Sequence, residues 1–173
     1  MQLNFRPVAA ADLPLLADWI GRPHWQDWWG DVAEEISYIA DMLEGRDSTR
    51  PFLFLVDGVV TGYIQVWVIA DQRVEPWLTE APWLLDLPDD AVGVDLSIAD
   101  PNGLSQGVGT AVLTAFVERL RDEGHKTIII DPHPANLRAV RAYEKAGFRL
   151  IPQLSGRTGD YLLMQHHPEE IGV

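Results

Sequence analysis

Gln106-Gly107-Val108-Gly109-Thr110 stands after a strand-like apolar stretch and at the head of a helix-period segment, and is the first place where this chain could do chemistry. Glycines let the backbone approach a ligand closely, and the unpaired N–H groups at a helix start favour anions, so the run reads as a phosphate cradle. By itself it is equally compatible with ordinary loop chemistry. Further along, the run from Asn136 to Phe148 joins a helix-capping Asn, a Tyr on the apolar face and a closing Gly147. The chain contains no cysteine, which excludes disulfides, a thiol nucleophile and any Cys-based metal site. His166 and His167 are adjacent, but no further ligands accompany them; they are read as exposed, and no metal site is expected.

Charge divides the chain. Residues 1–95 hold 17 acids and 5 Lys/Arg, whereas residues 96–173 hold 9 and 8. Such asymmetry is either a solubilising surface or the mark of two differently charged partners. A net charge of -13 leaves no basic face for a phosphate backbone, so nucleic acid is not an expected partner. No stretch approaches the ~20 apolar residues of a membrane span, and a cytoplasmic monomer or homodimer is expected.

These residues need elements to hold them. With 173 residues, 47% of them hydrophobic, the expectation is a single α/β domain over residues 1–173. Residues 3–8 read as a strand, with Asp12 as N-cap of a helix carrying Leu13, Leu16, Trp19 and Ile20 at helical spacing. An aromatic segment with His24, Trp25, Trp28 and Trp29 precedes an acidic helix near Val32–Leu43. Asp57-Gly58 between β-branched runs is a hairpin turn. The stretch 71–90 shows neither period and reads as a long acidic loop with a function. A strand at Val92–Ile98, a helix over 107–121, a buried strand over 127–130, a helix over 136–146 and two closing strands complete the pattern.

An Asn-x-x-Ala-x-x-x-Tyr-Glu-Lys-x-Gly-Phe run following a strand, paired with the glycine cradle, resembles the acyl-CoA signature of the GNAT superfamily. That resemblance implies a mixed, mostly antiparallel, V-shaped sheet flanked by helices, splayed between strand Val92–Ile98 and the strand at 127–130. Acetyl-CoA would be the cosubstrate. Its pyrophosphate would lie on the amides of Gln106, Gly107, Val108, Gly109 and Thr110, with Ser97 and Asn136 along its arm and Tyr143 near the sulfur as the acid. Leu104 stands where many members carry Arg or Gln, which removes a side-chain contact and leaves the backbone cradle.

The remaining motifs narrow the likeness. Arg22-Pro23-His24, Trp28-Trp29-Gly30, Gly62-Tyr63-Ile64-Gln65, Gly93-Val94-Asp95 and Asp131-Pro132-His133-Pro134 are similar in order and spacing to the aminoglycoside 6′-N-acetyltransferases. The resemblance implies Asp95 as base or amine anchor, Asp131 as a second holder of the reacting amine, Gln65 in the substrate site and Trp29 lining it. One of Trp28 and Trp29 is expected to fill core. A polycation fits the acidic segments at 31–47 and 71–90. An aspartate at its ordinary pKa of ~3.9 is a poor base, so burial, repulsion or a water relay must assist it. The alternative is a siderophore-pathway acyltransferase acting on a hydroxylamine such as N-hydroxylysine, whose relatives tend to carry His where this chain has Asp95.

Overall fold

The computed structural model describes residues 1–168, and its chain divides into two compact units, one from 1–65 with 96–103, the other from 66–95 with 104 onward. Seven strands are present: β1 (Leu3–Pro7), β2 (Arg50–Val56), β3 (Val59–Val68), β4 (Val92–Ile98), β5 (Ile128–Ile130), β6 (Phe148–Leu150) and β7 (Met164–His166). Their hydrogen-bonded order is β1-β2-β3-β4-β5-β7-β6. The β1–β2, β5–β7 and β6–β7 pairs are antiparallel and β4–β5 is parallel, so the sheet is mixed and mostly antiparallel as expected. The parallel register covers two pairs, Val92↔Ile128 and Gly93↔Ile129.

In the first unit, β2 and β3 meet at Asp57 and Gly58, both left-handed, the primed turn that matches strand twist. Helices α1 (Leu13–Ile20), α2 (Pro23–Gln26) and α3 (Val32–Leu43) follow β1 and precede β2. Leu16, Trp19, Ile20, Trp25 and Ile39 from these helices bury against Leu53, Tyr63 and Ala99. Each fully buried Leu or Ile of this kind contributes roughly 1.5–3 kcal/mol. Asp31 caps α3 by accepting from Glu34 N. Asp12 stands at the N-cap position of α1 as the sequence suggested, but its side chain makes no capping hydrogen bond to that helix. Its carboxylate instead accepts from the Ala9 amide at 2.8 Å and from both terminal nitrogens of Arg6, which holds its pKa below the usual carboxylate range. The bidentate guanidinium and this amide together occupy both carboxylate oxygens.

In the second unit the stretch 71–90 is ordered rather than a bare loop. It carries α4 (Trp77–Glu80) and two turns of 3-10 helix, and Trp83, Leu84 and Leu87 bury with Ile69, Ala91, Ile129, Leu154 and Leu163. Arg73 is its staple, donating to the carbonyls of Leu84 at 3.0 Å and Leu87 at 2.7 Å and pairing with Asp89. Helix α5 (Val108–Asp122) buries Val112, Leu113, Phe116, Val117 and Leu120 along one face, and α6 (Leu137–Lys145) buries Tyr143. The alternation of β7 turns Met164 and His166 inward together, so His166 is buried, contrary to the exposed pair expected. Arg121 donates to its Nδ1 and to its carbonyl, both at 3.0 Å.

Candidate active site

Three acidic groups share one field in the second unit. Asp95 lies on β4, Asp131 just beyond β5, and Tyr143 on the inner face of α6. Burial first, and the charge of Asp95 second, hold Asp131 well above the usual carboxylate range. Burial, then Asp95, then Asp131 raise the Tyr143 phenol above its ordinary value. A field in which burial and the charge of Asp95 oppose the ionisation of Asp131 and Tyr143 suits a cation and keeps the phenol protonated at neutral pH. Leu162 N donates to Pro132 O at 2.9 Å, which fixes the segment after β5, and the His133 ring meets Tyr161 edge-on at 6.0 Å.

The cradle has the expected local structure. Gly107 is the N-cap of α5 at φ 78, a left-handed conformation that a β-carbon disfavours, while the space around it is open. The first i→i−4 bond inside the helix runs from Ala111 N to Gly107 O, so the amides of Val108, Gly109 and Thr110 precede the ladder and are available to an anion. Gln106 is exposed beside them. The Thr110 hydroxyl donates to Ala142 O at 3.3 Å, tying the start of α5 to the helix that carries Tyr143. Asn136 caps α6, its Oδ1 accepting from Ala139 N at 3.3 Å, so the capping role is in place and the amide NH2 end is the one left to reach a ligand.

The first unit gathers the aromatic residues. Trp29 packs on Trp25 with ring centroids 4.9 Å apart and meets Tyr63 edge-on at 5.7 Å, and the Tyr63 hydroxyl donates to Gln65 Oε1 at 2.6 Å. Tyr63 had no role in the sequence reading. The signal was present, since residues 63 and 65 of a strand share a face. Trp28 is 45% exposed, and Trp29, the one expected at the substrate, is also the one that packs against core. Ser97 is half-buried on β4 and its carbonyl sits close under Gly62, where a β-carbon would come within 2.4 Å of it. At the end of β4, Arg22, His24 and Trp25 all reach backbone carbonyls of Ile98 and Ala99.

The acidic segments are less bare than their composition suggests. Asp41 and Glu44 pair with Arg46, Asp86 with Arg157 and Asp89 with Arg73, while Asp31 and Glu35 bind backbone amides. Among the described residues no three His, Cys, Asp or Glu side chains converge as a metal site, and no helix is long and apolar enough to cross a membrane.

Residues 8–155 match the model of the acetyltransferase (GNAT) domain. The chain is 33% identical over 156 residues to aminoglycoside N(6')-acetyltransferase type 1 of Klebsiella pneumoniae, covering 84% of this chain and 73% of that protein. A kanamycin resistance protein of Rhizobium radiobacter is 44% identical over 73 residues, covering 41% of this chain and 68% of that protein. Among solved structures, AAC(6')-Ib in complex with paromomycin and acetyl-CoA superposes with a TM-score of 0.82 at 27% identity, over 98% of this chain and 96% of that one. The same enzyme with coenzyme A and kanamycin gives 0.81 at 26% identity over the same shares of the two chains.

Proposed function

The chain belongs to the acetyltransferase (GNAT) family, and from that premise we propose that it transfers an acetyl group from acetyl-CoA to a primary amine of an aminoglycoside at the 6′ position. It is an acetyl-CoA-dependent N-acetyltransferase, read here as one catalytic domain working in the cytoplasm. The choice of a cationic substrate is supported by the Asp131 carboxyl, whose ionisation is opposed first by burial and then by the charge of Asp95, a cost that an ammonium relieves.

The residues divide the work as follows. The amides of Val108, Gly109 and Thr110 fit a pyrophosphate, and Gly107 gives the turn that exposes them. Acetyl-CoA supplies the acetyl group and departs as the thiol. Asp95 and Asp131 hold the ammonium and accept the proton it must lose before its nitrogen can attack, directly or through water. As the N–C bond forms and the C–S bond breaks, the amides near Leu96 and Ile98 on β4 stabilise the oxygen that gains charge. Tyr143, kept as a phenol by its surroundings, donates to the sulfur. One proton ends on the thiol and one leaves to solvent. No group on the chain need bond covalently to the acetyl carbon.

Free-thiol release against aminoglycosides, polyamines and N-hydroxylysine, with Asp95→Asn beside wild type, tests this reading. The expected result is acetylation of aminoglycosides that Asp95→Asn abolishes while acetyl-CoA binding survives. Faster turnover of N-hydroxylysine, undiminished in Asp95→Asn, would transfer the enzyme to the siderophore class.

A further inference from the structure

The Arg22-Pro23-His24 motif has no part in the chemistry described above, yet its side chains and that of Trp25 converge on the last peptides of β4. His24 Nε2 lies 2.9 Å from the Ile98 carbonyl oxygen, Trp25 Nε1 donates to the same oxygen at 3.0 Å, and Arg22 Nη1 donates to Ala99 O at 2.8 Å. A carbonyl oxygen only accepts, so His24 carries a proton on Nε2. The other end of the Ile98–Ala99 peptide is also fixed, because Ala99 N donates to Thr61 O at 2.9 Å. The Ala99 amide thus faces β3, and the Ile98 carbonyl faces the opposite edge of β4. In a strand the N–H and C=O of one residue lie on one edge, and alternate residues share it, so the amides of Leu96 and Ile98 lie on that same edge.

We propose that His24, with Trp25, is a positioning residue for acetyl transfer: by holding the Ile98 carbonyl it sets the tilt of the β4 end and offsets the negative dipole end that would otherwise stand in the row of oxyanion-stabilising amides. This rests on the acetyl-transfer reading above. A bare carbonyl beside an oxygen that is gaining charge repels it, whereas a carbonyl that accepts two donors has much of that field cancelled. The two donors come from one short helix, α2, whose Trp25 is fully buried, so they are pre-set before any ligand arrives.

The test is thiol release at saturating acetyl-CoA and amine for wild type, His24→Phe, His24→Gln and His24→Asn, with thermal unfolding of each. Loss of the donor in His24→Phe should lower kcat by about 10-fold with little change in the KM of the amine, the cost of about one hydrogen bond acting in the transition state. Gln places an amide nitrogen near the position of Nε2 and should recover most of kcat, whereas Asn is one methylene short and should not. A merely structural His24 would make kcat follow thermal stability and leave Gln and Asn alike, and that result overturns the proposal. Should His24→Phe not fold, the contrast between Gln and Asn decides. A wild type that releases no thiol with any amine brings down the acetyl-transfer reading and this proposal together; an active wild type with equal Gln and Asn variants brings down the positioning role alone.

Discussion

The Tyr63 hydroxyl donates to Gln65 Oε1 at 2.6 Å, so the Tyr63 ring fixes the carboxamide of Gln65 from the same face of β3. Tyr63→Phe should therefore loosen Gln65 and raise the KM of the aminoglycoside by ~3- to 10-fold while leaving kcat and the KM of acetyl-CoA alone. Steady-state kinetics with both substrates varied would show it, and an unmoved aminoglycoside KM would confine Tyr63 to packing.

Asp131 makes a prediction about stability and pH. Its pKa is raised in the folded chain, so folding favours the protonated form. The stability it contributes is present below the unfolded value, near ~3.9, and is lost as pH rises through the raised folded value. Asp131→Asn removes that titration. In denaturant unfolding without ligand, the variant should gain on wild type as pH climbs from 4 toward 8. A constant difference across that range would mean Asp131 is not desolvated.

Tyr143→Phe keeps the ring and removes the proton, and should lower kcat by something like ~10²-fold at nearly constant KM. Because burial and the two carboxylates push the phenol upward, it stays protonated past its ordinary ~10, and no alkaline loss of wild-type kcat between pH 8 and 10 should trace to it. A limb in that range that vanishes in Tyr143→Phe would contradict this.

At Gly107 the backbone sits at φ 78 with nothing within 4 Å of a would-be β-carbon. Space alone would admit Gly107→Val, but the strain is conformational and costs on the order of 1–3 kcal/mol for a β-branched residue. Asn tolerates the left-handed region, so Gly107→Asn should keep most of the stability. Calorimetry with acetyl-CoA should then find Asn closer to wild type than Val.

Salt provides a further check. For an aminoglycoside, kcat/KM should fall as ionic strength rises, because screening weakens the attraction of a polycation to the acids of 31–47 and 71–90. Neutralising Glu80 or Asp90 should reduce that slope more than neutralising Asp86, which already pairs with Arg157 at 3.0 Å. A slope equal in all three variants would assign the attraction elsewhere.

Elements with a strong period were readable from sequence: α3, the Asp57-Gly58 hairpin and the buried run of β5 needed only spacing and turn chemistry. What failed depended on a partner distant in the chain: His166 looked exposed until Arg121 met it across 45 positions. Near the site, the helix start at Gly107 was legible because helix ends announce themselves locally. The carbonyl clamp of His24 and Trp25 was not, because it joins residues separated by 74 and 73 positions and engages backbone atoms that every residue has.

Arg73 offers a different kind of consequence. One guanidinium binds two carbonyls and a carboxylate of the 71–90 connection, joining its short helical turns to one another. Order there rests on this side chain together with the buried Trp83, Leu84 and Leu87. While the fork holds, the connection should resist proteases as well as a helix does; once it opens, the same acidic, proline-broken stretch becomes a substrate for cleavage. Lineages of this enzyme thus have a narrow choice at position 73 and a wide one at exposed neighbours such as Val74 and Leu85, where the rim of the protein can drift without unfastening it.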